Sequence, residues 1–123
     1  MRVEEYIGIY HAEGGLVGET KYFFGHLFGR VHCSLCDITH SPVRRKKQWD
    51  AFAASLGAPF RLYHLNDMPA DVAGVVARVG SPVVMARTDT GLAVLVDAGR
   101  LERMDGSVEA FGVELARAAQ AVG

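Results

Sequence analysis

Residues 81–98, SPVVMARTDTGLAVLVDA, decide the architecture of this chain. "SPVVMAR" (81–87) and "LAVLVDA" (92–98) are apolar and largely β-branched or aliphatic, and the "TDTG" between them is a polar turn ending in glycine. Two such runs across a short glycine-containing turn predict a β-hairpin. On its N-terminal side, "MPADVAGVVARVG" (68–80) predicts a short helix with Pro69 near the first turn. Before that, "PFRLYHL" (59–65) alternates with period two. Phe60, Leu62 and His64 share one side of the predicted strand, and Arg61, Tyr63 and Leu65 share the other.

Further out, "VRRKKQWDAFAASLG" (43–57) is amphipathic at helical spacing. Trp49, Phe52, Ala53 and Leu56 lie on one face, and Gly57 stands where a C-terminal cap belongs. "VEEYIGIYHA" (3–12) predicts a strand, and "EGG" breaks it. "LVGETKYFFGHLF" (16–28) predicts a helix through Leu16, Thr20, Phe23, Phe24 and Leu27. After the hairpin, "SVEAFGVELARAAQAV" (107–122) predicts a helix capped by Ser107 that buries Val108, Phe111, Leu115 and Ala118. Residues 29–42 are left as a loop, closed by Ser41-Pro42 because the residue before a proline avoids the α region.

The resulting order is β–α–(loop)–α–β–α–β–β–α. Strands joined by helices imply parallel pairing, and the hairpin adds an antiparallel strand to the same sheet. This order, with Pro82 directly before the first hairpin strand in "VGSPVV", resembles the thioredoxin-like (glutaredoxin-type) fold superfamily. The stretch "TGLAVLVDAGRLE" and the following Ser107 and Glu109-Ala110-Phe111 carry the same likeness. The resemblance implies one α/β domain over residues 1–123, three layers deep, with a mixed four-stranded sheet between flanking helices. It also implies a cis-proline at position 82 facing the functional surface, with His11 and Glu13 bordering that surface. The segment "HCSLCDITH" (32–40) is similar to one in small bacterial proteins of unassigned role.

Composition narrows the function. Of 123 residues, 50% are hydrophobic and 22% charged, a globular balance, and the formal net charge is −1. No global field marks the chain for nucleic acid or an anionic membrane, so neither is expected as a partner. Glu4 and Glu5 sit near the start and the apolar run Tyr6–Tyr10 is too short for a signal core. No apolar segment approaches a membrane span. A cytoplasmic location is expected, where thiols stay reduced.

The chemistry gathers in "RVHCSLCDITHSP" (30–42), which holds both cysteines and two of the five histidines. Cys33 and Cys36 have the two-residue gap common in zinc sites, and His40 follows four residues later. If the segment coils helically, Cys36 and His40 share a face. Thiolates and an imidazole suit zinc first, and thiolates alone suit Cu(I). Cys33, Cys36 and His40 are therefore the expected metal ligands, with His64, His26, Asp37, water or a second chain in the fourth place. A second possibility is thiol–disulfide chemistry, with Cys33 as nucleophile and Cys36 as resolving thiol. In thioredoxins the C-x-x-C follows a strand and opens a helix, whereas here that position reads "HAEGGLVG". Arg30, Arg44 and Arg45 are near enough in sequence to stabilise thiolates. A third possibility is burial of both thiols as small hydrophobes in a structural loop, in a non-enzymatic interaction module.

Arg44-Arg45-Lys46-Lys47 is the one basic run, a candidate contact for an acidic protein partner or an anion. "AEGGLVGE" lacks a phosphate-loop order, and Glu13 and Glu19 would repel an anion. His64, on an apolar strand face, is expected to be a hydrogen-bonded core histidine. No Ser-His-Asp pattern, HExxH or Walker loop is present.

Overall fold

A computed structural model describes residues 3–11, 34–39 and 47–122. In chain order the elements are β1 (Val3–Ile9), α1 (Ser34–Thr39), α2 (Lys47–Ser55), β2 (Phe60–Tyr63), α3 (Ala70–Val79), β3 (Val83–Thr88), β4 (Gly91–Val96), α4 (Ala98–Arg103) and α5 (Val108–Val122). The helix expected over 16–28 and most of the 29–42 loop lie outside the described residues.

The strands form one mixed sheet in the order β2-β1-β3-β4. β1 runs parallel to β2, with Tyr6 opposite Phe60 and Ile9 opposite Tyr63. It runs antiparallel to β3, which in turn pairs antiparallel with β4. The expected hairpin is therefore present. Its turn is held by the Thr88 hydroxyl, which donates to the Gly91 carbonyl at 2.9 Å, while the Thr90 amide donates to the Thr88 hydroxyl at 3.2 Å. Gly91 takes φ 128°, a backbone state that side chains disfavour.

Two apolar clusters, one on each face of the sheet, make the domain three layers deep. On one face α1, α2, α4 and α5 pack around Leu35, Ile38, Trp49, Leu101, Phe111 and Leu115. On the other, Val72 and Val75 of α3 close over Ile7, Ile9, Val83 and Met85. A register shift between Val84 and Met85 leaves Leu95 as the extra residue opposite them. That bulge lets consecutive Leu95 and Val96 both enter the larger cluster.

The helices follow their local chemistry. Trp49 is buried, with Phe52, Ala53 and Leu56 packed against the same cluster as the amphipathic pattern requires. Gly57 is not among the described glycines with positive φ. The end of α2 is instead closed by the Ser55 hydroxyl donating to the Phe52 carbonyl at 2.6 Å. Ser107 caps α5 as expected, accepting from the Ala110 amide at 3.1 Å. The short helix α4 differs from the sequence expectation, in which Asp97 reads as the end of a strand. Its carboxylate accepts from the Arg100 amide at 2.9 Å and so starts a helix there.

An aromatic group fastens α2 and α5 to the sheet. The Trp49 ring meets Phe60 edge-on at 4.9 Å between centroids, Phe111 at 5.5 Å and Phe52 at 5.6 Å. Trp49→Ala removes the common member of these pairs and leaves a cavity in a close-packed core. A loss of about 3–5 kcal/mol is expected in a denaturant titration.

Opposite charges tie the other face together. Glu5 on β1 accepts from Arg61 of β2 at 3.0 Å and from Arg87 of β3 at 3.1 Å. Arg87 also donates to Asp71 of α3 at 2.6 Å. That hydrogen bond is the main reason the Asp71 carboxyl titrates below its ordinary range, and the same bond raises the Arg87 guanidinium. Because the folded pKa is the lower one, the contribution is complete above about pH 4 and is lost as pH falls through the folded value. Melting temperatures measured between pH 6 and pH 2 should therefore fall less steeply in Asp71→Asn than in the parent chain.

Candidate functional site

Helix α1 is short, yet it is seated firmly. Leu35, Ile38 and Thr39 are fully buried, and positions 35, 38 and 39 fall within one half of a helical turn. The segment expected as a loop is thus helical from Ser34 to Thr39. The sheet makes room for it at Gly8. A Cβ there would come within 2.9 Å of Leu62 Cδ2, 3.0 Å of Phe60 Cε1 and 3.2 Å of Leu35 Cδ2. Glycine at this position lets the Leu35 side chain press onto β1. At the C-terminal end of the helix, the Tyr10 and Thr39 hydroxyls share a buried hydrogen bond of 2.7 Å. Tyr10 and Thr39 are 29 positions apart in the chain, so this bond anchors α1 to the exit of β1.

Tyr10 and His11 follow the carboxyl end of β1, and His64 follows the carboxyl end of β2. In open α/β sheets, ligands gather at the carboxyl ends of parallel strands. The Tyr10 ring packs on the His64 ring at 5.2 Å between centroids, tilted by 57°. His64 is not the core residue expected from strand alternation. β2 stops at Tyr63, and the His64 side chain is 25% exposed. Asp67 holds it from both sides: Oδ1 accepts the His64 backbone amide at 2.6 Å, and Oδ2 lies 3.3 Å from Nδ1. On the neighbouring strand, His11 Nδ1 and the Ser81 hydroxyl are 2.8 Å apart. Ser81 precedes buried Pro82, whose peptide bond is cis, as expected for that position.

Of the expected ligands, Cys36 lies within α1, while Cys33 and His40 immediately precede and follow that helix in the chain and lie outside the described residues. Also outside are Arg44, Arg45 and Lys46 of the basic run, together with Glu13, His26 and His32. Lys47 opens α2 and is exposed. Among the described residues there is no cluster of three or more His, Cys, Asp or Glu side chains suited to a metal. No helix among the described residues is long and apolar enough to cross a membrane. A cleft between α4 and α5 is lined by Arg100, Arg103, Met104, Ala110 and Glu114. There Glu114 faces Arg100 at 3.6 Å, which offsets the positive charge.

Two residues of this region carry no signal that points to their role. Tyr10 and Thr39 meet only through the tertiary fold. Asp67 does have a local signal, since the three-residue spacing of His64 and Asp67 is that of a side-chain-capped turn.

The close fit at Gly8 is directly testable. Gly8→Val forces the Leu35, Leu62 and Phe60 side chains apart and should cost about 1–3 kcal/mol in equilibrium unfolding. No protein-family model matches the chain, and no curated protein and no solved structure matches it either.

Proposed function

We propose that the chain is a thioredoxin-like-fold protein that binds a transition metal, zinc first, through Cys33, Cys36 and His40. The sheet order β2-β1-β3-β4, with one parallel pair and Pro82 directly before β3, supports the fold part of this reading. The observation that carries the metal part is the helical run Ser34–Thr39. Cys36 lies in this helix, and Cys33 and His40 adjoin its two ends in the chain. Leu35, Ile38 and Thr39 supply the buried face, so the helix has an independent reason to stay in place. Two thiolates and one imidazole make a borderline-soft donor set that prefers zinc over harder cations. Three protein ligands leave a fourth position, which suits delivery, sensing or catalysis better than a closed structural site.

Metal analysis of protein purified without chelator or metal-binding tags tests this. About one zinc per chain, or per two chains, is expected, with both thiols protected from alkylation. Cys36→Ser should abolish stoichiometric uptake. A metal-free chain that takes up no zinc on titration removes the proposal.

The helix favours one further reading. Ser34 opens α1, with Cys33 directly before it in the chain and Cys36 within it, and the two-residue gap between the cysteines is one used by thiol–disulfide exchange proteins. Cys33 thiolate would attack a substrate disulfide and release one substrate thiolate. Cys36 would then displace the other, leaving a Cys33–Cys36 disulfide. A metal-free chain whose Cys33 alkylates no faster than a free cysteine has neither chemistry.

A further inference from the structure

We propose that the cleft between α4 and α5 binds a small oxyanion, a phosphate or carboxylate group, through the guanidinium groups of Arg100 and Arg103. It uses no residue of the cysteine segment and stands or falls without the metal reading. The cleft has a volume of about 230 Å³ and is lined by Arg100, Arg103, Met104, Ala110 and Glu114. Both arginines stand in the last turn of α4, and their three-residue spacing brings them to the same side of the helix. Leu101 and Met104 seat α4 in the larger apolar cluster, and Asp97 caps it, so the backbone beneath the arginines is held in place. Glu114 of α5 is the carboxylate of the lining. It lies 3.6 Å from Arg100 and 3.7 Å from Arg117. Both separations exceed a good N–H···O hydrogen bond, so Glu114 offsets charge without occupying the guanidinium donors. Arg103 takes part in none of the described ion pairs. Arg100, Arg103 and Arg117 thus outnumber this one carboxylate, while Glu102, Asp105 and Glu109 are exposed and do not line the cleft. Each guanidinium presents a planar fork of N–H donors that matches two oxygens of a phosphate or carboxylate. Buried Met104 and half-buried Ala110 supply an apolar wall, against which such charge-assisted bonds are stronger than in water. The volume is below the roughly 300 Å³ at which pockets for drug-sized ligands begin, so the ligand is a small one.

The test titrates the full chain with inorganic phosphate and, separately, with acetate. Sodium chloride holds the ionic strength constant, so that general screening does not change along the titration. The arginine Nε–Hε and Met104 methyl resonances are followed by NMR. Saturable shifts at Arg100, Arg103 and Met104 are expected, with a dissociation constant on the order of 1 mM or tighter. Arg103→Ala should weaken binding by about tenfold, the loss expected for hydrogen bonds to a charged group. Glu114→Gln removes the competing negative charge and should strengthen binding by roughly three- to tenfold. Arg103 is exposed, so its replacement leaves the core intact. Saturation by phosphate alone assigns the site to a phosphate group, and saturation by acetate alone assigns it to a carboxylate. Saturation by both ranks the two groups by affinity. Shifts that stay linear in concentration for both ions overturn the proposal, as does an affinity unchanged in either variant.

Discussion

The contact between β1 and α1 is the constraint on which the candidate site depends. β1 is an inner strand, paired with β2 on one side and β3 on the other, so its position is fixed by two ladders of backbone hydrogen bonds. Its last three residues are buried as well. A helix of six residues has little stability of its own, since nucleation costs more than one turn returns. What holds α1 is tertiary. Leu35 fits over Gly8, Ile38 is buried in the large cluster, and Thr39 is tied to Tyr10. Any ordered role for Cys36 is therefore inherited from the rigidity of β1.

The two faces of the sheet use different physics. The face that carries α1 is secured by aromatic packing, with Trp49 at the centre of Phe52, Phe60 and Phe111. On the opposite face Glu5 bridges Arg61 and Arg87, and Arg87 reaches Asp71. The partners there are partly exposed, and such ion pairs contribute only about 0–1 kcal/mol each. Dispersion and burial decide where the helices sit; charge refines how β2, β1, β3 and α3 align. Hence burial dominates the α1 face, while the α3 face responds to acid through Asp71.

Much of this architecture is legible in the sequence because the relevant signals are local and periodic. The hairpin follows from two apolar runs around TDTG, and α5 from Ser107 and the spacing of Val108, Phe111 and Leu115. The helix α2 was legible through Trp49, although its end was not, since Ser55 closes it rather than Gly57. Helix α1 carries no helical signal in the sequence, for a physical reason. Its six residues hold one Leu and one Ile, and two of its members, Ile38 and Thr39, are β-branched. Its helicity comes from Gly8 and Tyr10, which lie more than twenty positions away and carry no local mark of that role. His64 is hydrogen-bonded as expected but is not in the core, because β2 ends at Tyr63 and Asp67 captures the His64 amide.

The end of β2 at Tyr63 bears on the chemistry. A core histidine would be neutral and shielded, with its ring nitrogens committed to the interior. Ending β2 at Tyr63 turns the same residue toward the carboxyl end of the parallel pair and places its Nδ1 beside a carboxylate. Tyr10 lies between this imidazole and the end of α1, touching one with its ring and the other with its hydroxyl. The residue pairs Tyr10–Thr39 and His64–Asp67 thereby draw α1, β1 and the turn after β2 to one edge of the sheet. These segments lie far apart in the chain, so their convergence depends on the tertiary fold.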